Sequence, residues 1–128
     1  MKEILKRDLQ EAGFAVLDLG TNSTVSVDYP DFGKAMAEVI ASGKAERGVL
    51  VCGTGIGISI AANRNSKVRA ALVHDVTSAR LSREHNDANV VAFGQRLIGV
   101  ETARDALKVF LNTQFAGGRH AGRVAKLA

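Results

Sequence analysis

Residues 49 to 59 read Val49-Leu-Val-Cys-Gly-Thr-Gly-Ile-Gly-Ile-Ser59, and this stretch decides the fold class. The apolar run over residues 48–52 is too short for a helix and is typical of a buried strand in a parallel sheet. A cysteine and three alternating glycines follow it, and we expect a helix to begin near Ser59. In open α/β sheets, ligands bind where a strand ends in this way.

The glycines make this turn a candidate anion site. Gly53, Gly55 and Gly57 allow backbone conformations that are closed to other residues, so several N–H groups can turn toward one point. Beside the positive end of a helix, such a loop can hold a phosphate, a carboxylate or an enediolate. Cys52 stands at its rim, where the same field favours the thiolate over the thiol. The alternative is that Cys52 is a small buried hydrophobic residue at a strand end.

Length and composition indicate one domain over residues 1–128, of which 46% are hydrophobic and 23% charged. A single cysteine excludes an internal disulfide. The net charge of +4 and the aromatic content of 5% argue against nucleic-acid binding, whereas a phosphorylated small molecule suits the charge. No apolar stretch approaches the ~20 residues of a membrane span, and the first residues lack a signal-peptide core. We therefore expect a cytoplasmic protein without a membrane partner.

Helical and strand patterns alternate along the whole chain, without a repeat or a linker. The alternation predicts a three-layer α/β/α sandwich around a parallel, Rossmann-like sheet of four strands. We predict strands over residues 15–19, 48–52, 68–73 and 90–93, a polar loop over 23–30, and helices over 2–12, 31–42, 59–65, 77–85 and 99–111.

A dinucleotide-binding fold also opens with a strand, a glycine-rich turn and a helix, and Asp75 lies near the position of a ribose-binding acid. However, the G-x-G-x-x-G pattern fails in both registers, because Ile58 or Ile60 stands where the third glycine is required. The sequence contains no G-x-x-x-x-G-K-[ST] either. A dinucleotide-binding module is therefore only the third alternative.

The polar residues outside the glycine turn each have two interpretations. His85, with Asn86 after it, lies near the carboxyl or the amino edge of the sheet; it could transfer protons near neutral pH or cap its helix. Arg119 and Arg123 would share a face of a helical tail and could bind a phosphate, or they are solvated surface residues. Arg96, after the fourth strand, is equally ambiguous.

Metal and cofactor sites are not indicated by the sequence. The three histidines, His74, His85 and His120, show no ligand spacing, and Cys52 has no partner thiol. We expect neither a metal nor a cofactor.

Four ordered segments carry a family resemblance: Asp28-Tyr-Pro30, the run from Cys52 to Asn63, the run from Arg83 to Gly94, and Gly117-Gly-Arg-His-Ala-Gly-Arg123. Together they resemble the type B ribose-5-phosphate isomerases, a family that includes allose-6-phosphate and galactose-6-phosphate isomerases. The resemblance implies a metal-free aldose–ketose isomerase that interconverts ribose 5-phosphate and ribulose 5-phosphate through a cis-enediolate. A six-carbon sugar phosphate is the alternative substrate, since the motifs do not fix the length of the sugar.

The resemblance also implies roles for individual residues and an assembly. Cys52 matches the catalytic base, and Thr54 and His85 match ring-opening residues. The implied assembly is a homodimer or homotetramer whose active sites are shared between subunits. The tail from about residue 112 would then reach toward a partner subunit. The matching substrate contacts are Tyr29 and Asn86 to sugar hydroxyls, the backbone of Gly53, Gly55, Ile56 and Gly57 to the enediolate, and Arg96, Arg119 and Arg123, with His120 as a weaker member, to the phosphate.

The chain departs from the family pattern at its first residues. Family members begin with a further strand and an Asp-His turn, giving a sheet of five strands, whereas residue 1 here matches the following helix. We favour a true start further upstream over a shortened, catalytically silent subunit. In either case the sheet should show a gap or a compensating contact beside residues 15–19.

Overall fold

The computed structural model describes residues 1–20 and 28–128, which form six helices and three strands. None of these helices is both long enough and apolar enough to cross a bilayer. In chain order the elements are α1 (Lys2–Glu11), α2 (Tyr29–Ala41), β1 (Gly48–Cys52), α3 (Ile56–Ala62), β2 (Ala70–Leu72), α4 (Val76–Asn86), β3 (Val90–Gly94), α5 (Val100–Asn112) and α6 (Arg119–Ala125).

Most predicted elements are confirmed to within two residues of their bounds, but α3 begins at Ile56 and not near Ser59. Gly55 is the N-cap of α3, and its φ of 76° is a left-handed conformation that favours glycine. The chain therefore turns directly from the strand into the helix. Of the loop predicted over residues 23–30, residues 23–27 lie outside the described residues, and Tyr29 already belongs to α2.

All three strands run parallel, in the order β1-β3-β2. Gly48 pairs with Val90 at one end of β1, and Cys52 pairs with Gly94 at the other. The carboxyl ends of β1 and β3 therefore lie side by side. β3 is the central strand and is buried along its whole length.

Helices cover both faces of the sheet. On one face, α1, α4 and α5 bury Leu5, Ala79 and Phe110 against β3. On the other face, α2 and α3 bury Ala37 and Ile58. These two clusters, with the sheet between them, confirm the three-layer α/β/α sandwich.

The predicted first strand, over residues 15–19, is not formed, so the prediction of four strands is wrong for the described residues. A strand requires a hydrogen-bonded neighbour, and this segment pairs with none. Asp18 instead holds the segment to α1 through ion pairs with Lys2 at 3.2 Å and Lys6 at 3.0 Å. The predicted gap is present, since a cleft of about 1070 Å³ lies between residues 14–20 and β1.

Both ends of α4 are fixed by local interactions. At its start, the Asp75 carboxylate accepts the Ser78 N–H at 2.7 Å, and the Ser78 hydroxyl accepts the Asp75 N–H at 3.3 Å. At its end, Asp87 takes a left-handed conformation with φ of 47° and terminates the helix. The position of the last turn, which carries His85 and Asn86, is thereby set.

Candidate active site

Cys52 ends β1 at the carboxyl edge of the sheet and is half-buried. Its Sγ accepts the N–H of Gly55 at 3.1 Å. A donor aimed at sulfur interacts more strongly with an anionic sulfur than with a neutral thiol. Gly55 is required here for a second reason, because a Cβ at this position would lie 2.6 Å from Leu72 Cδ1 and 3.0 Å from the Phe93 carbonyl carbon.

The N–H groups of the glycine turn divide into two sets. Those of Gly55 and Ile56 already have acceptors, which are Cys52 Sγ and Thr54 Oγ1 at 3.2 Å. In the described residues, the N–H groups of Gly53, Thr54 and Gly57 donate to no acceptor. Fewer N–H groups are therefore available to an anion than the sequence predicts.

Tyr29 and Arg96 lie against the same turn. A Cβ on Gly57 would come within 2.6 Å of the Tyr29 hydroxyl oxygen, so the aromatic ring covers the Gly57 backbone. The Arg96 side chain runs along Gly53, where a Cβ would lie 3.4 Å from its Nε. Both residues are exposed, and both line the 1070 Å³ cleft together with Cys52. The structure thus gathers six of the predicted site residues here, namely Tyr29, Cys52, Gly53, Thr54, Gly57 and Arg96.

A second group of predicted site residues lies on α4 and α6. The rings of His85 and His120 stack with centroids 4.3 Å apart and an interplanar angle of 17°. Arg119 and Arg123 are exposed and lie one turn apart on α6, so the tail is helical here and the two arginines share a face, as expected for a helix. Partial desolvation, followed by the charges of His85 and the two arginines, holds the pKa of His120 below its ordinary value of 6.5.

The two groups lie at opposite edges of the sheet. Cys52 ends β1, whereas α4 runs back from the carboxyl edge and ends at Asn86, just before β3 begins. His85 therefore lies at the amino edge, which resolves the alternative that the sequence left open. The length of the strands, roughly 13 Å, separates the two edges. Within one chain, the structure does not bring His85 to Cys52.

The structure gives clear roles to two residues, Gly94 and Arg83, to which the sequence analysis assigned no role. Gly94 ends β3 so close to the Thr54 backbone that a Cβ would overlap it. Arg83, in the last turns of α4, has a side chain only 4% exposed. A glycine at a strand end can indicate that another backbone segment approaches closely there. Nothing in the sequence around Arg83, in contrast, distinguishes it from a solvated helix residue.

Possible metal ligands do not cluster. In residues 1–20 and 28–128, no group of three or more histidine, cysteine, aspartate or glutamate side chains is arranged to hold an ion.

The sequence profile of the Ribose/Galactose Isomerase family matches residues 1–127. The chain belongs to this family. It is 46% identical over 125 residues to a putative sugar phosphate isomerase of Bacillus subtilis, covering 97% of this chain and 84% of that protein. It is 44% identical over 124 residues to ribose-5-phosphate isomerase B of Escherichia coli, covering 97% and 83%.

Solved structures show the same relationship in three dimensions. Ribose-5-phosphate isomerase B of Clostridium thermocellum superposes with a TM-score of 0.97 at 48% identity, covering 98% of this chain and 85% of that one. The type B enzyme of Trypanosoma cruzi gives a TM-score of 0.93 at 48% identity, covering 98% and 85%. This member of the family is thus an isomerase of sugar phosphates with the fold of the type B enzymes.

Proposed function

We propose that this isomerase interconverts ribose 5-phosphate and ribulose 5-phosphate, with Cys52 as the base and a cis-enediolate as the intermediate. The observation that carries the proposal is the 3.1 Å contact from the Gly55 N–H to Cys52 Sγ, at the carboxyl end of a strand and beside N–H groups without acceptors. It combines a candidate base with an oxyanion site in one turn.

The reaction is a proton transfer that needs no oxidant. After the sugar ring opens, the Cys52 thiolate removes the proton from C2 of the aldose, and the electrons move onto the carbonyl oxygen at C1. The Cys52 thiol then delivers a proton to C1, and the proton on O2 passes to O1, so that C2 becomes the ketone and the C1 oxygen becomes a hydroxyl. The N–H groups of Gly53, Thr54 and Gly57 would stabilise the enediolate, each by ~2 to 4 kcal/mol if well aimed.

The remaining roles require a second copy of the chain. Ring opening by His85, hydroxyl contact by Asn86, and phosphate binding by Arg119, Arg123 and His120 would come from the amino edge of a partner subunit. Thr54, the other ring-opening residue, would act from the Cys52 turn. Tyr29 and Arg96 would act from the same chain as Cys52. The separation of the two groups by the length of the sheet supports this arrangement, because neither group is complete alone.

An exposed apolar surface beside the glycine turn also supports a partner. Ile56 and Ile60, one turn apart on α3, are 48% and 52% exposed, and Leu97 is 51% exposed. Large apolar side chains grouped at one end of a fold are typical of an interface. We infer a homodimer, or a tetramer of such dimers, in which the tail reaches the partner's glycine turn.

The test is the conversion of ribose 5-phosphate to ribulose 5-phosphate without added metal, by the native chain and by Cys52→Ala and Cys52→Ser. We expect both substitutions to lower kcat by about 10²-fold to 10⁴-fold, because neither residue supplies a base of suitable strength. The melting temperature of each variant checks that it is folded. Full activity in folded Cys52→Ala would exclude the thiolate base.

Two alternatives have specific support and are tested by the same assay. The chain is 47% identical over 107 residues to the galactose-6-phosphate isomerase subunit LacB of Clostridium acetobutylicum, covering 84% of this chain and 62% of that one. Turnover of galactose 6-phosphate or allose 6-phosphate, but not of ribose 5-phosphate, would favour a six-carbon substrate. The open cleft beside β1 supports a silent subunit, for which sugar-phosphate binding without turnover is the expected result.

A further inference from the structure

Arg83 is a buried cation that contacts two separate parts of the fold, the turn after α4 and the end of α5. Its side chain is only 4% exposed, and arginine is rarely buried without partners. Its Nη1 donates to Asp87 Oδ1 at 2.9 Å and to the Ala88 carbonyl at 2.6 Å. Its Nε donates to the Thr113 carbonyl at 3.0 Å, and its guanidinium lies over the Phe110 ring at 5.9 Å.

These contacts connect the end of α4 to the start of the tail. Thr113 is the C-cap of α5 and the first residue after that helix. Three residues later the Ala116 N–H donates to the Glu84 carbonyl at 3.1 Å, so the tail is attached to the last turn of α4 at two points. The stacked rings of His85 and His120 then form the third contact.

The geometry points to Arg83 as a positioning residue for the phosphate-binding half of the site: it fixes the tail on α4 so that His85, Arg119 and Arg123 form one surface. Arg83 itself is only 3% exposed, so its role would be to position this surface and not to bind the sugar phosphate. This inference rests on the proposed function, because the surface is the one assigned there to the sugar phosphate.

The guanidinium geometry is essential to this role. A guanidinium presents several donors in a planar fork, whereas a lysine ammonium is a single point charge on a flexible stem. Arg83→Lys keeps the charge near Asp87, but it has one nitrogen in place of the Nη1 that donates to Asp87 and Ala88 and the Nε that donates to Thr113. We therefore expect the tail to loosen while the positive charge is retained.

The experiment compares Arg83→Lys with Arg80→Lys in kinetics and phosphate binding. Arg80 lies on the same helix, is half exposed and, among the described residues, pairs only with Glu84 at 3.0 Å, so it is a matched surface control. For Arg83→Lys we expect KM for ribose 5-phosphate to rise about tenfold, with a smaller change in kcat, and the Kd for inorganic phosphate by calorimetry to rise by a similar factor. Arg80→Lys should leave both constants unchanged.

A second variant covers the case in which Arg83→Lys does not fold. Ala116→Pro removes the N–H that donates to Glu84, at an exposed position outside the core. It should raise KM and the phosphate Kd in the same way. Hydrogen exchange of the Ala121 amide on α6 should be faster than in the native chain for both variants, which is a direct measure of tail docking.

The outcomes separate this inference from the proposed function. If the native chain does not convert ribose 5-phosphate, the proposed function fails, while phosphate binding and amide exchange still test Arg83. If the native chain is active, and folded Arg83→Lys or, failing that, Ala116→Pro retains the native KM, phosphate Kd and Ala121 exchange, the positioning role is overturned.

Discussion

At the scale of single residues, Gly57 is a precise test of the substrate pocket. A Cβ at this position would meet the ring of Tyr29, so either the ring or the turn must move. We expect Gly57→Ala to raise KM for the sugar phosphate by one to two orders of magnitude, roughly the effect of a 1 Å misplacement.

The matched control for this change is Gly99→Ala. Gly99 has an ordinary φ of −75°, and a Cβ there would meet no atom within 4 Å. Gly99→Ala should keep the native KM. A native KM in Gly57→Ala would show that Tyr29 does not contribute to substrate binding.

His120 provides a prediction about pH. Because its pKa is lower in the folded chain, chiefly through desolvation and then through His85, Arg119 and Arg123, the unfolded chain binds the proton more tightly. Stability therefore rises with pH from the folded midpoint up to about 6.5 and shows no further change from this group above that value. Acidification below 6.5 should loosen α6 from α4, since a charged His120 faces Arg119 and Arg123 beside the His85 ring, and Glu84 offsets their charges only in part.

Nuclear magnetic resonance titration of the His120 ring measures this directly. We expect a midpoint below 6.5, and a loss of the acid-side loosening in His120→Phe, which can stack on His85 without acquiring a charge. A midpoint at or above 6.5 would contradict the account.

The sequence predicts only some of the contacts that individual site residues make. The glycine pattern indicates the turn and the cysteine at its rim, because both follow from local backbone freedom. The acceptors of the Gly55 and Ile56 N–H groups depend on side-chain directions that the pattern does not contain. The same is true of Arg83, whose partner Thr113 lies thirty residues away.

At the scale of elements, β1 has one paired and one open side. The Gly48 N–H donates to Asn89, and Cys52 accepts from Gln95, so alternate residues of β1 bond to β3. Val49 and Val51 consequently direct their backbone groups toward the cleft. In residues 1–20 and 28–128, no strand pairs with that side.

Amide hydrogen exchange tests this assignment residue by residue. The amides of Val49 and Val51 should exchange at least about tenfold faster than that of Leu50, because only the last is bonded within the sheet. The control is the central strand, where Val91 and Ala92 have neighbours on both sides and should both exchange slowly. Equal protection of Val49, Leu50 and Val51 would mean that the edge is paired in solution.

The elements were largely predictable because their signals are local. The hydrophobic periodicity and the residues typical of helix and strand ends predict the bounds of β1, β3, α4 and α5 to within two residues. Residues 15–19 have the composition of a strand, but a strand also needs a neighbour, and composition cannot supply one. The early start of α3 depends on the conformation of Gly55, which allows the helix to follow the strand without a longer loop.

At the scale of the whole molecule, the order of the elements determines the division of the site. A helix that follows a parallel strand returns to the amino edge, so the last turn of α4 lies far from the end of β1. The sequence left the edge of His85 open because the motif alone does not show the direction of its helix. The fold places His85 at the amino edge. The Cys52 turn and the His85 surface can therefore complement each other only between two copies of the chain.

Subunit complementation tests the central claim, which is one isomerase site formed by the Cys52 turn of one chain and the His85 surface of another. Cys52→Ala and His85→Ala chains, each nearly inactive alone, are co-expressed and purified together. In a symmetric dimer, about half of the molecules are mixed and carry one complete site of two, so roughly a quarter of the native activity should return. A mixed preparation no more active than either variant alone would contradict the shared site.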